Sequence, residues 1–259
     1  MAKKYRPEMD NRQMWKDFSK RGKGYELDTR FLLNDGESHP LAVLCPGGGY
    51  ELVCSFVEGT PIAKELNEKG ISVAIVYYST SKKAKYPAPQ EDLARAIRDL
   101  EEMKDTYHYD MDRYSLWGAS AGGHLAASFS TKPMGYQRYG VRKPHTLILE
   151  YPVITMDPSF THMGSHDNLL GKNATRVQEE ATSVEAHVDK DYPRTFVWCG
   201  SADDTVDTRN TKELINALQL ADVEHEAEFY ENVIHGVGTG KGSAAEGWID
   251  KAVEFWLKG

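Results

Sequence analysis

The segment with the clearest chemical potential is LWGASAGGHLAA, residues 116–127. Within it, Gly118, Ser120 and Gly122 fit the spacing G-x-S-x-G between an apolar run and a run of small residues. This context is typical of a serine on a tight strand-to-helix turn, where the hydroxyl is exposed as a nucleophile. The spacing also occurs by chance where a helix merely packs on a sheet. The strand–turn–helix context favours a nucleophile, which needs a base and an acid that orients the base.

Candidates for both partners follow Ser120 in the order that this turn requires, acid before base. The stretch ENVIHGVG places His235 next to a glycine in a loop before the last predicted helix, and predicts it as the base. Asp203 and Asp204 lie in a loop after a predicted strand, and either carboxylate could orient the histidine. The register of Val206, expected to pack on the sheet, favours Asp203.

A glycine-rich loop, CPGGGYE, follows an apolar run, and its three successive glycines indicate a close approach of the backbone to something. A Walker phosphate loop is excluded because no Gly-Lys-Ser/Thr follows. A dinucleotide fingerprint is excluded because Leu52 occupies the position of its last glycine. Backbone N–H groups can also bind an oxyanion. We therefore expect Gly48, Gly49 and Ala121 to form an oxyanion hole.

Two histidines four residues apart, His162 and His166, have a spacing that could ligate a metal ion. Pro158 and Gly164 argue against a helix there, and no H-E-x-x-H motif is present, so a cap or loop structure is the favoured interpretation. His124 is expected to be a packed, hydrogen-bonded residue of a helix. The sequence predicts no metal and no cofactor.

The composition is typical of a globular protein, and the net charge favours neutral ligands. The chain has 259 residues, 40% of them hydrophobic, and a net charge of −8, which argues against nucleic acid and anionic membranes as partners. The first residues contain no apolar signal region, and the cysteines at 45, 54 and 199 are typical of free thiols. We expect a cytoplasmic protein with a small-molecule substrate; a homo-oligomer is compatible with the sequence.

Apolar runs that predict strands alternate with helical patterns along the chain, and this alternation is typical of a mostly parallel, doubly wound α/β sheet with helices on both faces. The predicted strands lie at 41–44, 72–78, 114–117, 146–149, 196–199 and 224–230. We expect one domain over 1–259, with an N-terminal extension at 1–25 and a small cap-like insertion at 155–190.

The motifs CPGGGY, LWGASAGGHLAA, THMGSHDNLLG, FVWCGSADDTV and ENVIHGVG follow one another as in small α/β-hydrolase esterases. The chain most resembles the bacterial acetyl xylan esterase and feruloyl esterase-like group, which is related to the hormone-sensitive-lipase-like esterases. Two positions depart from relatives. Pro46 stands where many have histidine, and Asp207 stands where proline is common.

The resemblance implies a serine esterase with Ser120 as nucleophile, His235 as base, Asp203 as acid, and Gly48, Gly49 and Ala121 as oxyanion donors. It implies short acyl substrates, first of all acetyl groups on plant-derived oligosaccharides. Feruloyl or aryl esters, general short-chain esters and formamides are the alternatives within hydrolases. A non-catalytic ligand-binding homologue is the alternative of a different class.

Overall fold

The computed structural model describes residues 24–259, so residues 1–23 of the expected N-terminal extension lie outside the described part of the chain. Seven strands in this part form one sheet. They are β1 (Glu26–Phe31), β2 (His39–Cys45), β3 (Ser72–Tyr77), β4 (Tyr109–Ala119), β5 (Thr146–Glu150), β6 (Arg194–Gly200) and β7 (His225–Tyr230).

The strand order is β1-β3-β2-β4-β5-β6-β7. Strand β1 pairs with β3 in an antiparallel sense, and every other neighbouring pair is parallel. The prediction of a mostly parallel sheet is therefore confirmed. Parallel strands end at the same edge of a sheet, so the loops after β2, β4, β5, β6 and β7 all emerge on one side.

Helices pack around the sheet and bury its apolar residues. They are α1 (Ser55–Glu58), α2 (Thr60–Glu68), α3 (Ala88–Tyr107), α4 (Ser120–Phe129), α5 (Tyr136–Tyr139), α6 (Met163–Leu169), α7 (Arg176–Thr182), α8 (Arg209–Leu220) and α9 (Trp248–Lys258). All six residues of β3 are buried, as expected of a parallel strand covered on both faces. Between residues 24 and 259, no helix has the length and the apolar character needed to cross a bilayer.

The segment between β5 and β6 contains α6, α7 and a 3-10 turn at Val184–His187. Pro158 and Gly164 argued against a helix near His162 and His166, and this prediction is wrong. Pro158 lies in the turn before α6, and His162 caps the helix, its Nδ1 accepting from the backbone N–H of Ser165. This cap supplies an acceptor to the first turn, where backbone N–H groups have none within the helix, and it offsets the low helix propensity of Gly164.

Helix α4 approaches the end of β2 so closely that Gly122, in its first turn, has no space for a side chain. A Cβ atom added to Gly122 would lie 2.0 Å from the carbonyl oxygen of Cys45 and 2.5 Å from that of Pro46. A Cβ atom added to Gly118, at the end of β4, would lie 2.5 Å from the carbonyl oxygen of Gly122. Both glycines of the G-x-S-x-G spacing are therefore required by backbone packing.

We expect Gly122→Ala to destabilise the protein by about 3 kcal/mol or more, because the methyl group overlaps two backbone carbonyls that cannot turn away. Gly140→Ala is the matched control: its added Cβ meets nothing within 4 Å, and only its left-handed backbone, φ +60°, opposes the change. That strain costs roughly 1–2 kcal/mol. Denaturant unfolding of both variants measures the difference, and equal losses would contradict the packing argument.

Candidate active site

Ser120 lies at the junction of β4 and α4, with a backbone φ of +53°. This left-handed conformation is uncommon for a residue with a side chain and marks a tight turn. Ser120 is 5% exposed, and it contributes to the wall of a pocket of about 370 Å³. The turn thus presents the Ser120 hydroxyl at the edge where the parallel strands end.

Three side chains from distant parts of the sequence form one hydrogen-bonded chain. His235, in the loop after β7, has its Nε2 atom 2.9 Å from Ser120 Oγ. Its Nδ1 atom lies 2.7 Å from Asp203 Oδ2, in the loop after β6. An ionised carboxylate accepts from Nδ1–H, which leaves Nε2 free to accept the serine proton. The arrangement can remove a proton from Ser120 and stabilise the imidazolium that results.

The structure places Asp203, and not Asp204, against His235. The second carboxylate oxygen of Asp203 accepts from the backbone N–H groups of Thr205 and Val206, both at 2.9 Å, and the Asp203 side chain is 1% exposed. Asp204 is exposed, and its nearest described hydrogen bond, to the Thr205 hydroxyl, is 3.4 Å long. Val206 is buried, as the sequence register assumed.

The glycine loop lies beside Ser120 and has little space on its inner side. Gly48 and Gly49 have φ values of +122° and +65°. A Cβ atom on Gly48 would lie 2.3 Å from the carbonyl oxygen of Leu52, and one on Gly47 would lie 2.7 Å from Ser120 Cβ. Among the contacts described for residues 24–259, the N–H groups of Gly48 and Gly49 have no acceptor. They are available to a ligand in the pocket.

Ala121, the third predicted donor, is the second residue of α4. A backbone N–H at this position has no acceptor within its own helix, and the helix dipole favours negative charge there. The pocket brings Ser120 and His235 together with Gly48 and Gly49. A carbonyl group in the pocket can thus meet a nucleophile and backbone donors together.

His162 also lines the pocket, whereas His166 is buried and is not among the lining residues. Burial, followed by the charge of His235, lowers the pKa of His162. The two nitrogens of His166 lie 3.0 Å from Asp167 Oδ1 and 3.1 Å from Glu179 Oε1. Residues 24–259 contain no group of three or more His, Cys, Asp or Glu side chains arranged to hold a metal ion.

His124 is a buried residue of α4, as expected. Its ring nitrogens lie 2.8 Å from the Tyr50 hydroxyl and 2.8 Å from the carbonyl oxygen of Thr182. Burial lowers the pKa of His124 to about 4. His124 is thus a neutral link between Tyr50 of the glycine loop and Thr182 at the end of α7.

Three further residues contact the site and were not predicted from the sequence. Glu58 accepts a hydrogen bond from the Gly47 N–H, Tyr151 packs on the His235 ring with centroids 4.5 Å apart, and Asn168 donates to the Gly49 carbonyl. The only local signal was one acidic residue, Glu58, in the otherwise apolar run SFVEG. Their roles depend on contacts between segments far apart in the sequence.

The BD-FAE family model matches residues 27–137. The endo-1,4-beta-xylanase B of Butyrivibrio fibrisolvens is 30% identical over 227 residues, which are 84% of this chain and 35% of that protein. The acetylxylan esterase of Xylanibacter ruminicola is 28% identical over 234 residues, which are 88% of this chain and 47% of that protein. The chain thus spans about a third to a half of the length of these curated relatives.

Among solved structures, the acetyl ester-xyloside bifunctional hydrolase from Caldicellulosiruptor lactoaceticus superimposes with a TM-score of 0.79 and 30% sequence identity. The match covers 88% of this chain and 86% of that one. The chain therefore belongs to the BD-FAE family of α/β-hydrolases and is a homologue of acetylxylan esterase.

Proposed function

We propose that this protein is a serine esterase that hydrolyses short acyl esters, with acetyl groups on plant-derived carbohydrate as its substrates. The observation that carries the proposal is the hydrogen-bonded chain from Ser120 through His235 to Asp203, beside a pocket lined by the glycine loop. Two relatives are named an acetylxylan esterase and an acetyl ester-xyloside hydrolase, which supports this choice of acyl and alcohol groups.

The proposed reaction has two halves. Ser120 Oγ attacks the ester carbonyl while His235 Nε2 takes the hydroxyl proton, and the oxyanion is bound by the N–H groups of Gly48, Gly49 and Ala121. The carbon–oxygen bond to the alcohol then breaks, and the alcohol leaves with the proton from Nε2. Water attacks the acyl-enzyme, gives its proton to Nε2, and that proton returns to Ser120 as the acid leaves.

The size of the pocket and the net charge of the protein favour a small neutral ester. Its volume of about 370 Å³ lies near the lower end of ligand pockets, which range from about 300 to 1,000 Å³. The net charge of −8 disfavours polyanions as substrates. Cys45, Cys54 and Cys199 form no disulfide in the described part of the chain, which supports a cytoplasmic location, where the substrates would be imported oligosaccharides.

The proposal is tested with a panel of esters and the variant Ser120→Ala. We expect the highest kcat/KM on acetylated xylo-oligosaccharides, above feruloyl esters, longer p-nitrophenyl esters and N-formyl amines. Removal of the nucleophile should cost on the order of 10⁶ in kcat. A fluorophosphonate probe should label the wild type and not the variant. An unlabelled Ser120 without turnover of any ester would instead indicate a binding protein.

Asp203→Asn should lower kcat by about 10⁴, because an amide favours the wrong tautomer of His235. Asp204→Asn is the matched control, and its exposed carboxylate should cost about tenfold or less, as a loop residue outside the hydrogen-bonded chain. Steady-state kinetics on one short-chain ester, with folding checked by circular dichroism, compare the two. If Asp204→Asn is the inactive variant, the assignment of the acid is wrong.

Incubation with EDTA should leave kcat unchanged, and added zinc should not raise it. Both nitrogens of His166 already have carboxylate partners, and Nδ1 of His162 caps α6, which leaves only Nε2 of His162 as a ligand from this pair. Residues 24–259 also contain no group of three or more side chains arranged to hold a metal ion. The measurement is initial rate before and after chelation. A loss that one added metal restores would contradict the proposal of a metal-independent hydrolase.

A further inference from the structure

Glu58, the last residue of α1, is a buried carboxylate beside the proposed nucleophile. It is 5% exposed, and it contributes to the wall of the pocket that contains Ser120 and His235. A Cβ atom added to Gly47 would lie 2.7 Å both from Glu58 Oε2 and from Ser120 Cβ. Only the bare backbone of Gly47 therefore fits between the carboxylate and the serine.

The hydrogen bonds of Glu58 connect the two loops on either side of the pocket. Its Oε2 accepts from the Gly47 N–H at 2.8 Å, immediately before the proposed oxyanion donors. Its Oε1 lies 2.9 Å from the hydroxyl of Tyr151. That hydroxyl in turn accepts from the Gly238 N–H at 3.2 Å, three residues after His235.

The direction of these bonds favours an ionised carboxylate. The Gly47 N–H can only donate, and the Tyr151 oxygen already accepts from Gly238, so its proton is directed to Glu58. An ionised Glu58 can accept from both groups at full strength. In a protonated Glu58, the oxygen that carries the hydrogen would be a weaker acceptor, and buried donors with poor acceptors are costly.

The charge of Glu58 also acts on the proposed base. Burial raises the pKa of the Glu58 carboxyl, and the positive charge of His235 acts in the opposite direction. The imidazolium formed during the reaction is therefore stabilised from two sides, by Asp203 through a direct hydrogen bond and by Glu58 through space.

We propose that Glu58 is a positioning residue for this reaction: its carboxylate ties the glycine loop to the loop of His235 and stabilises the imidazolium. This inference rests on the proposed esterase function. A side chain that only fills space would serve equally well without its charge. The two donors directed at Glu58 and its proximity to His235 both favour the charged form.

The test compares Glu58→Gln with Glu65→Gln. The glutamine keeps the size of the side chain but removes the charge and reverses one hydrogen bond. At mildly alkaline pH we expect kcat to fall about tenfold or more, with little change in KM, because misplacement of the reacting groups lowers the rate rather than the affinity. Glu65 is a half-buried carboxyl on α2 whose pKa is also raised by burial, and its variant should keep wild-type kcat.

The pH dependence distinguishes positioning by charge from packing. The ratio of wild-type to Glu58→Gln kcat/KM should increase with pH, because the wild-type carboxylate forms only as the pH rises through its raised pKa. The other ionisable groups around Glu58 are His235, Glu150, Tyr151 and Tyr78, and they are common to both proteins. A ratio that is constant with pH would overturn the proposal, as would wild-type kcat/KM in the variant.

The thermal stability of Glu58→Gln is a second, independent measurement. Relative to the wild type, we expect stability to improve with rising pH, whereas activity worsens. Because the folded pKa of Glu58 is raised, its contribution to stability is present at low pH and is lost as the pH rises from the ordinary glutamate pKa to the raised value. The melting temperature of Glu58→Gln, relative to the wild type, should therefore improve with rising pH while its activity deficit grows.

If Glu58→Gln does not fold, Tyr151→Phe decides the question. It removes one hydrogen bond to the carboxylate and keeps the charge, so the pKa of Glu58 rises further and the acid limb of kcat/KM should move to higher pH. An unmoved acid limb would overturn the proposal. An inactive wild type with an unreactive Ser120 would refute the esterase function itself, which is a separate result.

Discussion

The backbone of Ser120, held at φ +53°, is the constraint on which the rest of the site depends. It persists because the chain on either side has no space to relax: Gly118 and Gly122 face each other across the turn, and Gly122 lies against the carbonyl oxygen of Cys45. The same approach brings the end of β2 beside the start of α4. The glycine loop, which continues from β2, is thereby placed next to the serine hydroxyl. One packing contact thus sets the distance between the proposed nucleophile and the proposed oxyanion donors.

Electrostatics around His235 follow from the same sheet edge. The loops after β5, β6 and β7 bring Tyr151, Asp203 and His235 together, because neighbouring parallel strands end side by side. Asp203 contacts the ring directly, whereas Glu58 accepts from the N–H of Gly47 in the glycine loop and is linked to the loop of His235 through Tyr151. Two carboxylates thus lie near the proposed base, and one of them is hydrogen-bonded to the loop that carries two of the proposed oxyanion donors. The insertion between β5 and β6 carries His162, which adds a neutral imidazole to the wall of the pocket.

Much of this arrangement was predictable from local patterns. The G-x-S-x-G spacing, the order Ser120, Asp203, His235, and the position of the glycine loop after a strand are all properties of short segments. These patterns can be interpreted from the residue preferences of tight turns and from the alternation of strands and helices along the chain. The helix at Met163–Leu169 was not predicted, since its start depends on a side-chain cap by His162 and the propensities of Pro158 and Gly164 point the other way. The antiparallel strand β1 was also missed.

The sequence by itself determined the fold class, the glycines of the turn, and the identity of the nucleophile and base candidates, because these depend on residue types at fixed short spacings. It favoured Asp203 over Asp204 only through the register of Val206. The tertiary structure placed Asp203 against His235, through two backbone N–H groups that hold its carboxylate. It alone revealed Glu58, since a carboxylate between Gly47 and Tyr151 joins segments 11 and 93 residues apart. Contacts of that range are decided by packing, which no local pattern encodes.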